Sequence, residues 1–412
     1  MGPAIDAGRV IADLRELDRL TGGEGGARRV AWGPAWREAR EWFAERCAEI
    51  GLEPRRDAAA NVRFRLEGEA RPAVALGSHL DSVPAGGWLD GALGVVAGLG
   101  VLRAWAESGE RPPRDLLLVD WADEEGARFG HSLLGSSAFE GSLDTAALAG
   151  LRDPEGVAIA DALAENGVEL DRMPEAGAWR DEVGAYLELH IEQGPVLEAE
   201  SLPVAAVDGC AGIERSRLVF SGQPAHAGTT PMGSRRDALL AAAETALEVE
   251  RIAGECGGMG TTGALDARPG IPTAVAGEAA LAVDLRHGDR GELTAMKDSV
   301  GQVAREAAAR RGCEVTAEPV WRIDPTVFDP SLVREVGQAC RDAAGSDRVL
   351  TSGALHDAAL VARVVPAAMI FVASRRGLSH APEEDSSEPD LRLGIEAFGQ
   401  AANRLVQREE SP

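Results

Sequence analysis

Lysine is almost missing from the 412 residues: Lys297 stands alone while arginine, alanine and glycine abound, a nucleotide-composition bias with no functional message. Positive charge is short overall, with 42 basic against 67 acidic residues and a net charge of −25. Such a chain repels phosphate backbones and anionic lipid surfaces, so neither nucleic acid nor a membrane is an expected partner. Cysteine is sparse, and Cys47, Cys210, Cys256, Cys313 and Cys340 are scattered, odd in number and without a C-x-x-C pair. That pattern argues against a disulfide framework and for reduced thiols in a cytoplasmic protein. No run approaches the roughly 20 apolar residues that span a bilayer. The first residues place Ile5, Val10, Ile11, Leu14, Leu17 and Leu20 among charges, an amphipathic helix rather than a signal peptide. Internal repeats and low-complexity linkers are also absent, and the acidic run Glu383 to Glu388 reads as a solvated loop.

What is present is enough chain for two domains, each able to bury a core. Helical and strand-like segments alternate, which predicts an α/β layer architecture. A helix is expected from about Pro34, a favoured first helical residue, to Gly51, a favoured stop. Strands are expected at Val62–Leu66, Ala73–Gly77, Leu116–Trp121, Tyr186–Leu189 and Ala368–Val372, apolar runs of the kind buried on both faces. Gly91 to Ser108 reads as a buried helix between two of them. From about Gly212 the pattern changes to strand Leu218–Ser221, helix Arg235–Ile252, strand Ala280–Leu285, helix Leu293–Arg310 and strand Glu314–Ala317. This resembles a β-α-β-β-α-β, ferredoxin-like sandwich. The expectation is a discontinuous catalytic domain, 1–211 and 327–412, with a mostly parallel central sheet, and an inserted α+β domain, 212–326.

Four strand ends carry the residues that bear chemistry, the place where side chains are best presented. Gly77-Ser78-His79-Leu80-Asp81 follows one apolar strand, and Asp90-Gly91 opens the next helix. His79 and Asp90 can therefore share a cation, with Asp81 orienting the imidazole through its other nitrogen. Asp123-Glu124-Glu125 follows another strand. Adjacent glutamates leave a regular strand on opposite faces, so one can bind a metal while its neighbour activates water. Alternation puts His190 of Glu188-Leu189-His190-Ile191-Glu192-Gln193 at a third strand end, and Ser379-His380-Ala381-Pro382 lies beyond a fourth. Taken singly, each is an ordinary hydrogen-bonded loop residue. Four coincidences at four strand ends make that reading unattractive.

The segments GSHLDSVPAGGWLDGALGVVAGL, WADEEGARF, LELHIEQGPVLE, GQPAHAGTTPMGSRRDA, DLRH, SGALHDA and FVASRRGLSHAPEE, in order from Gly77 to Glu384, resemble one family. It is the N-carbamoyl-L-amino-acid hydrolase branch of the dinuclear zinc aminoacylase-like hydrolases, which also holds allantoate amidohydrolases and β-ureidopropionases. The resemblance implies two divalent ions per subunit, zinc, manganese or cobalt, about 3.5–4 Å apart with a water clamped between them. It assigns His79, Asp90 and His190 to one ion and Asp90, Glu125 and His380 to the other. It makes Glu124 the general base and Asp81 the support of His79. It gives Gln193 the carbamoyl end of the substrate, His226 the oxyanion and Arg286 the substrate carboxylate. It further implies a homodimer through the inserted domain, which acts as a lid. Two positions depart from the pattern: Thr273 stands where relatives carry asparagine, and Leu355 where they carry glycine before His356-Asp357. Both bear on substrate choice. Allantoate hydrolysis, an aminoacylase or peptidase activity, and a non-catalytic binding protein of the same fold are the alternatives; retention of every ligand and of Glu124 weighs against the last.

Overall fold

The computed structural model describes residues 2–23 and 25–408. Two compact units emerge, one built from the chain up to Gly209 together with that from Val327 onward, the other from Cys210–Thr326.

The centre of the first unit is a set of four mutually parallel strands, Leu116–Trp121, Ala73–His79, Val183–Ile191 and Ala367–Val372, adjacent in that order. Antiparallel strands flank them, Val62–Leu66 on one side and Val204–Cys210 on the other. Every residue of Ala73–His79, Leu116–Trp121 and Ala367–Val372 is buried. Continuous apolar runs are what a parallel sheet needs when helices cover both faces. Each Leu, Ile or Val so removed from water contributes about 1.5–3 kcal/mol.

A parallel neighbour requires a crossover, and the helix Ala92–Ser108 supplies it between the first two strands. Its first turn sits hard against the sheet. A Cβ on Gly94 would lie 2.5 Å from the Leu189 carbonyl oxygen and 2.8 Å from Ser78 Cβ, so only glycine permits that approach. One core is filled jointly by the helix Ala7–Thr21, capped by Asp6, and the helix Glu388–Gln407, whose buried faces join that of Ala92–Ser108.

Element limits differ from the sequence reading where pairing extends them. The first strand runs on to His79 because its ladder continues through Ser78 opposite Asp120 and His79 opposite Trp121. The third grows to Val183–Ile191. Val204–Cys210, Val-Ala-Ala-Val-Asp-Gly-Cys, carries little β signature and becomes a strand by pairing with Ala367–Val372.

In the second unit the order is strand Gly212–Ser221, helix Ala238–Cys256, strands Met259–Arg268 and Glu278–His287, helix Arg290–Arg310 and strand Glu314–Ile323. The four strands form an antiparallel sheet ordered Glu314–Ile323, Gly212–Ser221, Glu278–His287, Met259–Arg268. Leu218, Phe220, Leu281, Val249, Met296 and Val300 join the sheet to its two helices. Met259–Arg268 escaped the sequence reading because this edge strand is mostly exposed and rich in glycine, threonine and alanine. A short ladder of Ala225–His226 with Ala274–Val275 adjoins the Ser221 end of the sheet, where Gly222 N donates to Gly277 O. No helix among the described residues is long and apolar enough to cross a membrane.

Candidate metal centre

The four parallel strands end on the same edge of the sheet, where crevices between carboxyl ends of strands form sites in open α/β folds. His79 closes one strand and His190 lies one residue from the end of the next. Asp90 comes from the turn before the helix Ala92–Ser108. Gly91 in that turn has φ +64° and a Cβ there would lie 2.4 Å from His79 Cε1. Glycine is thus required on both conformational and steric grounds.

His79 Nε2 is 4.0 Å and His190 Nε2 3.2 Å from Asp90 Oδ1. On the other side His380 Nε2 is 3.4 Å from Asp90 Oδ2 and 3.4 Å from Glu125 Oε2. The result is two trios, His79–Asp90–His190 and Asp90–Glu125–His380, each with ligand atoms within 4.8 Å of one another. Asp90 belongs to both, one oxygen to each. The His79 and His190 rings are turned by their backbone contacts, Nδ1 of His79 to Asp81 O at 3.1 Å and Nδ1 of His190 to Ile191 O at 2.9 Å. Those contacts leave Nε2 of each facing Asp90, the arrangement that metal-binding histidines adopt.

Glu124 and Glu125 both reach the centre because the strand has already ended. Asp123 takes φ +57°, a left-handed conformation that aspartate tolerates, and its carboxylate accepts a hydrogen bond from Trp32 Nε1 at 2.6 Å. Past this turn Glu124 Oε2 lies 3.7 Å from His79 Nε2. Asp81 holds the pair: Oδ1 accepts from Glu124 N at 3.2 Å and Oδ2 from Glu125 N at 3.1 Å. This corrects the expected role of Asp81. Its carboxylate stands 3.7 Å from His79 Nδ1, beyond hydrogen-bond reach, since both oxygens serve the two backbone donors.

Electrostatics fit a cation site. Burial pushes Glu124 and Glu125 well above the ordinary carboxylate range, and neighbouring carboxylates push in the same direction, Asp357 foremost for Glu124 and Asp90 for Glu125. Burial also acts upward on Asp90, but contact with His190 and the charges of His190, His79 and His380 outweigh it and hold Asp90 below its usual value. Burial opposes charge on His190, yet Asp90 and then Glu188 carry it up to about 9. The pocket concentrates more carboxylate than it can ionise without added positive charge, and two imidazole–carboxylate trios are a donor set that hard or borderline divalent ions accept.

Glu188, His356 and Glu384, to which the sequence reading gives no role, belong to this neighbourhood. Glu188, His190 and His356 form a third, wholly buried trio, with the His356 ring 4.4 Å from that of His190. Glu188 accepts from Ser78 Oγ at 2.7 Å and Ala358 N at 3.0 Å, tying the His79 strand to the His356 segment. Its two-residue spacing from His190 was the available signal. Glu384 is 1% exposed, so the supposed solvated loop at Glu383 to Glu388 turns its second residue inward. Leu355 is half-buried beside buried His356.

Gln193, at φ +57°, donates from Nε2 to Asp90 Oδ2 at 3.1 Å and to Ser379 Oγ at 2.9 Å. In the second unit His226 and Thr273 are exposed neighbours, joined by Ala227 N to Thr273 O at 2.9 Å. Arg286 pairs with Asp284, Nε to Oδ1 at 2.8 Å. It lies at the opposite end of the sheet: Arg286 pairs with Ile213, whereas Glu278 pairs with Ser221. Eight residues of extended chain separate those positions, roughly 26 Å.

The profile of the peptidase family M20/M25/M40 matches residues 75–404. The chain belongs to this family. Among its relatives are the N-carbamoyl-L-amino-acid amidohydrolase of Paenarthrobacter aurescens, 35% identical over 95% of this chain and 96% of that one, and the allantoate amidohydrolase of Bacillus subtilis (strain 168), 31% identical over 93% of each. The crystal structure of a hydantoinase/carbamoylase family amidase from Burkholderia ambifaria matches with a TM-score of 0.89 at 36% identity, covering 98% of both chains. This M20/M25/M40 member therefore shares the family fold along nearly its whole length.

Proposed function

We propose that the protein is a metal-dependent amidohydrolase that cleaves the ureido C–N bond of an N-carbamoyl-L-amino acid or a similar ureido acid. The observation that carries this reading is the pair of trios sharing Asp90, with Glu124 3.7 Å from His79. Relatives named for N-carbamoyl-L-amino acids and for allantoate, both ureido compounds, support it.

His79, Asp90 and His190 would hold one divalent ion, and Asp90, Glu125 and His380 the other. When bound, such ions polarise the substrate carbonyl and acidify water. Glu124 takes the proton from the attacking water and delivers it to the leaving nitrogen; its buried setting suits a base that must hold the proton between the two steps. Asp81 keeps Glu124 and Glu125 in place through their backbone N–H groups. Gln193 orients the carbamoyl end, His226 stabilises the oxyanion and Arg286 clamps the substrate carboxylate in bidentate fashion. The products are an amino acid, carbon dioxide and ammonia.

The inserted unit serves as lid and dimerisation element, with a ferredoxin-like sandwich as its frame. The separation of His226 from Arg286 within that unit supports a homodimer in which the two come from different subunits. Thr273, beside His226, and Leu355, beside His356, tune the choice of substrate. Ammonia release from N-carbamoyl-L- and D-amino acids, β-ureidopropionate and allantoate, after reloading chelated protein with zinc, manganese or cobalt, tests the reading. Metal-restored activity on one ureido acid names the substrate, and silence across the panel refutes the ureido assignment.

A further inference from the structure

Glu384 joins two loops 294 residues apart in the chain. Its Oε1 accepts from Asp90 N at 3.1 Å, and its Oε2 accepts from Ser379 Oγ at 3.0 Å and from His380 N at 3.3 Å. Ser379 Oγ in turn accepts from Gln193 Nε2, which also donates to Asp90 Oδ2. The donors run in one direction, amide to hydroxyl to carboxylate, so every donor and acceptor of the circuit is used in a compatible sense. Asp90 is thereby gripped twice, at its backbone by Glu384 and at Oδ2 by Gln193.

The two cation positions differ in how their histidines are fixed. Side chains of His79 and His190 are 2% and 1% exposed and are set by packing together with their Nδ1 contacts to backbone carbonyls. The His380 side chain is 52% exposed and its backbone adopts φ +54°, a conformation costly for a residue with a Cβ unless its surroundings impose it. Packing cannot impose it on so open a side chain; the Glu384 carboxylate, accepting from the N–H of His380 itself and from the hydroxyl of Ser379 next to it, can. Gly87 makes the arrangement possible, because a Cβ there would lie 1.9 Å from Glu384 Oε1. Trp88 Nε1 adds a second tie between the same loops through Asp385 Oδ1 at 3.2 Å.

We infer that Glu384 is the positioning residue of the Asp90–Glu125–His380 trio: its loss frees the backbone of His380, whereas Asp90, still held at Oδ2 by Gln193 and at its carbonyl by Ala92 N, keeps its place in the His79–Asp90–His190 trio. The inference rests on the metal-pair reading above. Chelated wild-type protein and the Glu384→Gln variant are titrated with Co²⁺ by calorimetry, with bound metal counted after gel filtration and folding checked by circular dichroism. The wild type should bind two ions. In Glu384→Gln the tighter or looser site that depends on His380 should weaken 10–100-fold, the usual effect of removing a ligand's support, while the other stays within about threefold. Gly87→Ala, which drives the carboxylate out of its seat without touching it chemically, should reproduce the same selective loss and keeps the test alive if Glu384→Gln fails to fold. Unchanged affinities in both variants, or equal weakening of both sites, overturns the role of Glu384. Fewer than two ions on the wild type instead overturns the metal-pair reading.

Discussion

Replacement of Asp81 by asparagine tests whether the centre is held by a buried carboxylate behind it. Asp81 is fully buried, and burial pushes its carboxyl up to about 6 despite the hydrogen bonds from Glu125 and Glu124, so it is ionised at neutral pH. Asparagine keeps the shape and one acceptor but turns an amide N–H₂ toward the backbone N–H of either Glu124 or Glu125. One buried donor is then left without an acceptor, at a cost of about 1–3 kcal/mol, and the displaced glutamate is either the base or a ligand. At 1.4 kcal/mol per factor of ten, that corresponds to roughly 5–150-fold, in line with the 10–100-fold seen when such support is removed from metal sites. Ammonia release gives kcat and KM, and metal counting gives occupancy. We expect kcat or metal affinity to fall by that range with KM little changed. An Asn variant within threefold of wild type in both would refute the assignment of Glu124 and Glu125 to positions enforced by Asp81.

Glu124→Gln should abolish turnover while metal content stays at the wild-type level; retained turnover would exclude Glu124 as the base. Gly91→Ala should strain a φ of +64° and press a Cβ onto His79, so metal binding should drop by at least tenfold, measured by the same titration, and an unaffected titration would show that the turn relaxes freely. His190, carried to about 9, is a cation at pH 7 in the metal-free protein. It must lose that proton to become a ligand, so metal binding should release protons and tighten as pH rises toward 9. Calorimetry in buffers of different ionisation enthalpy counts the protons, and a count of zero contradicts the arrangement.

The sequence by itself determined the parallel sheet, through apolar runs that only two-sided burial satisfies, and it determined which residues stand at the strand ends. His79, Asp90, Glu124, Glu125, His190 and His380 were legible because chemistry-bearing types follow such runs at short, fixed distances. Strands held by partners rather than by their own residues, Val204–Cys210 and Met259–Arg268, were not legible. Neither were the contacts that reach across the chain: Asp81 serving two backbone donors 43 and 44 residues away, Glu188 beneath His190 and His356, and Glu384 joining Asp90 to His380. An acidic residue in a charged run looks solvated until the fold shows a cavity, opened here by Gly87, that admits its carboxylate. Local periodicity fixes elements and strand ends, because neighbours in sequence share one backbone. Which carboxylate supports which ligand depends on distant segments meeting, and only the tertiary structure decides that.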